Sequence, residues 1–255
     1  MADLTVRLWL LTEDPDTSQI GVYPRSAGRV LNGSEVLEAS MAFNQMLPGD
    51  GPWPDPYPPD FPVPRVRFAE GRLPDYNVVQ NLAFISDRMR RAMALPDDVA
   101  QFLPIRNVSR PPRARSARYS MLHVLASGRV VDGERSDCHV DRPTSAKTRA
   151  EILRFTGLTA IRLLPGVEPP ADLFRESAAP TILLATDALA QRVIDAGCTG
   201  VQFRHPLWFA PGFEEVIKTC DGAARVVWDQ KGRDYTLKPV SLEEADAGPP
   251  GNGGR

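Results

Sequence analysis

Apolar and polar positions alternate where the chain opens. Leu4, Val6, Leu8 and Leu10 interleave with Thr5, Arg7, Trp9 and Leu11, and a period of two predicts a strand. The run RVLNGSEV (29–36) reads as a second short element with an Asn-Gly turn at 32–33. Over 35–47, Val36, Ala39, Phe43 and Met46 fall near helical spacing, which predicts a short helix. Residues 76–95, YNVVQNLAFISDRMRRAMAL, admit two readings. A single amphipathic helix could use Val78, Leu82, Ile85, Met89 and Met93. Alternatively the helix begins at Ser86, whose hydroxyl can cap a free backbone N–H, with Asp87 next to the positive helix end. Pro96 ends the helix in either case.

An internal echo favours the later start. FISDRMRRAM (84–93) leads to VAQFLP (99–104), and LATDALAQRV (184–193) leads to CTGVQFRHP (198–206). Each has Ser or Thr followed by Asp, a helical run, then a strand-like segment with a phenylalanine. In the second copy Thr186 is the cap and Leu189, Val193 and Ile194 form the apolar stripe. Gly197 supplies a left-handed stop, and Val201 and Phe203 face one way on a strand that Pro206 closes. Many αβ units share this texture, so the echo alone is weak support for duplication.

The remaining pattern is rich in strands. Segments 119–126 and 129–132 read as strands, with Leu122 and Val124 alternating against His123. Residues 152–166 read as one strand or two, broken at Gly157, with a loop over 166–170. Residues 181–185 form a short buried strand candidate. FEEVIKTC (213–220) reads as a brief helix, and 224–229 with 233–240 read as a hairpin around QKG. The tail from Ser241 is acidic, then rich in glycine and proline, and is expected to be unstructured. The fold class predicted is α+β, with mixed sheet elements, short helices and long proline-rich loops. The divisions expected are 1–73, 74–206 as the core, 207–240 as an extension and 241–255 as a tail, forming one compact domain plus the tail.

Composition adds two features. Prolines number 25 in 255 residues, and eight of them fall in 48–65, PGDGPWPDPYPPDFPVPR. That segment cannot be helical, so the spacing of four between Trp53, Tyr57 and Phe61 carries no helical meaning. The three rings either pack on the core or anchor a partner. Residues 104–118 contain Arg106, Arg110, Arg113, Arg115 and Arg118 and no acid. They form a solvated loop or a basic patch for an acidic partner or phosphates. The whole chain has a formal net charge of -2, which gives no global field toward nucleic acid or an anionic membrane. Three cysteines without a C-x-x-C pair suit a reducing compartment. The first residues show no basic leader and no spanning apolar run, so a cytoplasmic location is expected.

Chemistry-bearing motifs are few. The chain contains no G-x-S-x-G, no phosphate-cradling glycine motif and no H-E-x-x-H. The strongest candidate cluster is SDCHVD (136–141), where a strand would set Asp137, His139 and Asp141 on one face and Cys138 on the other. That face could take a metal ion or support an enzyme of unrecognised type; a solvated strand explains the same letters. Cys198, after a capping glycine, suits a small packed residue.

The stretch from about 74 to 205 resembles a bacterial immunity-protein family of polymorphic-toxin systems, the one numbered eleven. The resemblance lies in ISDRM (85–89), FLPIRN (102–107), YSMLHVLASGRVVDGERS (119–136) and ADLFRESAAPTILLATDALAQRVIDAGCTGVQF (171–203). The last is the most specific, with Leu173-Phe174-Arg175, Thr186-Asp187 and the exit Gly197-x-x-Gly200-x-x-Phe203. It implies a protein that binds a cognate toxin and blocks it, with no catalytic motif to carry over. Enzyme activity, a cofactor, a metal, nucleic acid and membrane are therefore not expected. The residues expected at a partner surface are Trp53, Tyr57, Phe61, Arg110, Arg113, Arg115 and Arg118.

Overall fold

The computed structural model describes residues 8–13, 56–57, 63, 65–66, 68, 73–79, 82–109, 112–144, 149, 151–206, 214–228 and 235–247. The first elements are β1 (Leu8–Glu13), β2 (Arg65–Val66), β3 (Tyr76–Val79), β4 (Leu82–Ser86), α1 (Asp87–Met93), β5 (Ala100–Pro104) and β6 (Arg106–Asn107). Then come α2 (Pro112–Ser116), β7 (Tyr119–Val124), β8 (Ser127–Gly128), β9 (Asp137–Asp141), β10 (Arg154–Ala160), β11 (Leu173–Glu176) and β12 (Ala179–Thr186). The last are α3 (Asp187–Asp195), β13 (Val201–Arg204), β14 (Glu214–Thr219), β15 (Gly222–Trp228), β16 (Tyr235–Val240) and α4 (Leu242–Ala247). The class is α+β, as the pattern predicts.

The echo in the sequence is a repeated architecture. The smaller sheet runs β3-β4-β7-β5, and the centre of the larger one runs β13-β1-β12-β11. β4 and β5 both pair antiparallel with β7, so they run parallel to each other and α1 carries the chain across β7. β12 and β13 both pair antiparallel with β1, and α3 carries the chain across it. β3 precedes β4 as β11 precedes β12. The caps match as well. Ser86 accepts a hydrogen bond from the Met89 N–H, and Thr186 accepts one from the Leu189 N–H.

A carboxylate sits at the same point in each unit. Asp75, just ahead of β3, accepts from the Ser86 hydroxyl and from Arg88, and its backbone carbonyl accepts from the Ser86 N–H at 2.9 Å. Asp172, just ahead of β11, accepts from the Thr186 hydroxyl at 2.7 Å and from Arg192 at 2.8 Å. Its carbonyl accepts from the Thr186 N–H at 2.9 Å. Asp75 also ties the units together: the Thr199 N–H donates to its carboxylate at 2.9 Å, and the Asp75 N–H donates to the Thr199 carbonyl at 2.8 Å. Arg192 returns the link, donating to the Met93 carbonyl at the end of α1 at 3.2 Å.

One core unites both sheets. Met89 and Met93 of α1 and Leu189, Ala190 and Val193 of α3 are buried with Ile85, Leu122, Trp9, Leu11, Ala185 and Phe203. Burying each of the larger side chains contributes roughly 1.5–3 kcal/mol. The outer faces are covered too. Leu8 and Leu10 join Phe174, Leu184, Val131 and Phe155 on one side, while Phe84, Met121 and Leu103 join Tyr57, Val66, Phe68 and Ala114 on the other. Alternation along β1 therefore separates two cores, since Trp9 and Leu11 are as buried as Leu8 and Leu10. β7 is likewise buried along its whole length, His123 included.

Three expectations change: 129–132, expected as a strand, holds only an isolated bridge from Val131 to Leu163, the strand there being β8. The segment predicted as a helix near 213–220 is β14, which pairs with β13 and β15. Its β-branched Val216, Ile217 and Thr219 suit a pleated position, and an open sheet edge supplies the partners that a short helix would lack. The tail expected to be unstructured from Ser241 carries a helix over Leu242–Ala247, and 248–255 lie outside the described residues. Ser241 and Glu244 form a reciprocal capping box: the Glu244 N–H donates to the Ser241 hydroxyl at 3.0 Å, and the Ser241 N–H donates to the Glu244 carboxylate at 2.9 Å. The predicted hairpin is β15–β16, in register from Ala223↔Val240 to Trp228↔Tyr235. Gly157 bends β10 with φ +63° without splitting it. The turn at 32–33 and the helix over 35–47 lie outside the described residues.

Candidate interface

The arginine segment folds around Asn107. From β6, its side-chain amide donates to the carbonyls of Ala114 at 2.7 Å and Ala117 at 2.9 Å. Its side-chain oxygen accepts from the Ser109 N–H at 3.1 Å and hydroxyl at 2.7 Å. Ser109 in turn accepts from the Phe68 N–H at 2.8 Å. Ala114 is buried beside Tyr119 and Phe68, so α2 is anchored from below. The expected loop is thus a pinned helical turn. Arg113 and Arg115 project from it, Arg118 follows it and Arg106 precedes it, all exposed. Arg115 Nε donates to the Ser109 carbonyl at 3.1 Å, and the Arg118 carbonyl accepts from the Asp87 N–H at 3.1 Å at the start of α1.

The surroundings sharpen the charge. No acidic residue occurs between Val99 and Val131, a stretch with six arginines. Among the described residues, the side chains of Arg106, Arg113 and Arg118 have no carboxylate partner. Four other arginines are paired, Arg88 with Asp75, Arg135 with Asp132, Arg142 with Glu151 and Arg192 with Asp172, while Arg90, Arg91, Arg129 and Arg162 are exposed without a carboxylate partner among the described residues.

Tyr57 is not part of this face. It is 2% exposed, its ring centroid 4.2 Å from that of His123, and Gln101 holds its backbone through bonds of 2.9 and 3.1 Å. It takes the packing role, and burial raises its hydroxyl pKa well above the usual value. Trp53, Phe61 and Arg110 lie outside the described residues.

The 136–141 segment is strand β9, paired with β10. Asp137, His139 and Asp141 are exposed on one face, and Cys138 turns inward. Its thiol is pushed up by burial and by Asp137. No group of three His, Cys, Asp or Glu side chains is placed to hold a metal ion among the described residues. Cys198 is fully buried, and burial followed by the Asp75 charge pushes its thiol up to about 11, which keeps it protonated and unreactive at neutral pH.

A family model described as Immunity protein family (Imm11) matches residues 16–206. The chain belongs to this family. The Imm11 match begins well upstream of the 74–205 stretch whose motifs carry the resemblance, and it stops after β13. β14–β16 therefore lie beyond the Imm11 match while continuing the same sheet. No curated protein matches the chain. In this Imm11 protein no helix among the described residues is long and apolar enough to cross a membrane.

Sequence reading missed three polar groups. Lys218 is 1% exposed, lies 4.3 Å from the Trp9 ring centroid and pairs with Asp187 at 3.2 Å, and the Trp9 indole N–H donates to the same carboxylate at 2.7 Å. Asp75 and Asn107 are the other two. None had a local signal, because each acts on partners fixed by tertiary structure. Arg175 is buried and donates to the carbonyls of Val124 and Pro180; burial pulls its pKa down to about 10, so it stays charged at neutral pH.

Proposed function

We propose that this protein is an immunity protein that neutralises a cognate toxin by binding it, with no bond made or broken. The observation carrying this reading is membership of the immunity family over about three quarters of the chain. The architecture suits the task. Two interlocked strand–helix–strand units with both sheet faces covered form a rigid frame, and a rigid frame lowers the ordering cost of association. A surface of about 800 Å² per partner is typical for such a complex. We further propose that 74–206 forms the core unit together with β1, which lies at the centre of its larger sheet, that β14–β16 extend that sheet and that the protein works in the cytoplasm.

The test is co-expression with the product of the neighbouring gene. Growth of cells carrying that product should depend on this protein, and the two should co-purify as a stoichiometric complex. A neighbour that is harmless alone, or that never co-purifies, refutes the reading. So does growth rescue by catalytic amounts with no complex formed.

A further inference from the structure

We propose that the exposed arginines around α2 are the docking face for the toxin and that the toxin meets them with an acidic surface. This rests on the toxin-binding reading above. The first argument is charge. Among the described residues, the exposed guanidinium groups of Arg106, Arg113 and Arg118 have no carboxylate partner within the chain. A segment with six arginines and no acid, in a chain of formal net charge -2, makes the molecule electrically one-sided. Such a field orients an acidic partner before contact and raises the association rate.

The second argument is rigidity. Asn107 ties down the carbonyls of Ala114 and Ala117, and buried Ala114 holds the turn against the core. The backbone carrying the guanidinium groups is therefore fixed before binding. Planar guanidinium groups grip carboxylates in two-point hydrogen bonds, a geometry that rewards preorganisation.

The third argument concerns the class of partner. Single-stranded nucleic acid needs exposed rings between its basic residues. Among the described residues, Tyr57, Phe68 and Tyr119 beside the segment are buried, and 104–118 contains no aromatic ring of its own. An acidic protein surface fits what remains.

The experiment measures binding of the purified neighbouring-gene toxin domain, inactivated at its own active site, to the full-length chain by stopped-flow fluorescence at several salt concentrations. The variant is Arg106→Glu, Arg113→Glu and Arg118→Glu together; Arg115 is left alone because it bonds the backbone. The triple reversal should weaken binding by about 100-fold or more, mostly through slower association, and should flatten the salt dependence. The lysine version of the same triple should retain most of the affinity. Reversal of Arg135, Arg142 and Lys238 should leave binding within about threefold. Matching circular dichroism and melting temperature establish that each variant is folded. Should the charge-reversed α2 variant bind as wild type does, the docking face is wrong and the toxin-binding reading stands. If the wild-type chain does not bind the toxin domain at all, that reading falls and this inference with it. A 20-nucleotide single strand bound more tightly than the toxin domain would also overturn the proposal, in favour of nucleic acid.

Discussion

Replacing Asp75 with alanine should be among the most damaging single changes in the molecule. Its carboxylate is 5% exposed and accepts from the Ser86 hydroxyl, from Arg88 and from the N–H and hydroxyl of Thr199. Loss of the side chain leaves the Thr199 N–H without that acceptor and removes the side-chain half of the clasp between the two units, the backbone bonds to the Thr199 carbonyl staying in place. Arg88 is half exposed and can turn to water, so its share is discounted for solvent screening. The bonds from the Ser86 hydroxyl and the Thr199 N–H and hydroxyl are the undiscounted part, and leaving their buried donors unsatisfied costs about 3 kcal/mol in all. Against a typical total of about 5–15 kcal/mol, that is a large fraction. Asp172 is the internal control, since it makes the equivalent contacts but is 41% exposed. Asp172→Ala should cost about 1 kcal/mol. Urea titration by circular dichroism measures both. Equal losses from the two substitutions would refute the argument that burial and the inter-unit bonds set the difference.

The same carboxylate gives a pH test. Burial alone would raise the Asp75 pKa, but the hydrogen bonds from Arg88, Ser86 and the Thr199 N–H outweigh it and hold the carboxyl below its ordinary value. A depressed folded pKa means the unfolded state takes up protons first. The stabilisation is complete above the unfolded value, about 3.9, and disappears as pH falls through the folded value. The stability gap between wild type and Asp75→Asn should therefore be constant from pH 7 to 5 and narrow below pH 4. A gap that does not narrow in acid contradicts this assignment.

Three further outcomes follow from individual contacts. Lys218→Met should lie within about 1 kcal/mol of wild type in urea titration, because an apolar chain of similar length fills the site, whereas Asp187→Ala should cost about 1–3 kcal/mol by removing the carboxylate that the buried Lys218 and the Trp9 indole share; the reverse order would contradict the pairing. Ser241→Ala should lose the reciprocal cap and about 1 kcal/mol locally, seen as faster amide exchange over Leu242–Ala247, with core amides unchanged. Gly133→Ala would set a Cβ 2.4 Å from the Phe155 ring, so the melting temperature should drop by the equivalent of about 1–3 kcal/mol; an unchanged melt would show that the ring can move freely.

What was legible in the sequence was local. Ser86, Thr186 and Gly197 marked helix ends because caps act within one turn, and the paired Ser/Thr-Asp starts revealed the repeated unit. The 224–240 hairpin showed through its alternation on either side of QKG. β14 was hidden because EEVIKT suits either a short helix or a strand until a sheet edge is present. The capping box at Ser241 and Glu244 was readable in SLEE, but the glycine and proline that follow pulled the segment toward disorder. At the candidate interface the arginines were plain from the sequence. Their platform was not, since Asn107 works through three carbonyls seven to ten residues away. Tyr57 looked available among prolines, and only the fold shows it turned inward.

The two repeated units do not have the same history along the chain. In the first, β7 slots between β4 and β5 from within the same short stretch. In the second, the central strand β1 meets partners far downstream, and Trp9 bonds a residue 178 positions away. Closing so long a loop is slow, and formation of non-local pairs of this kind governs the folding rate. A ribosome therefore releases β1 long before its neighbours exist, and the first unit can assemble while that strand waits as an unpaired, aggregation-prone ribbon.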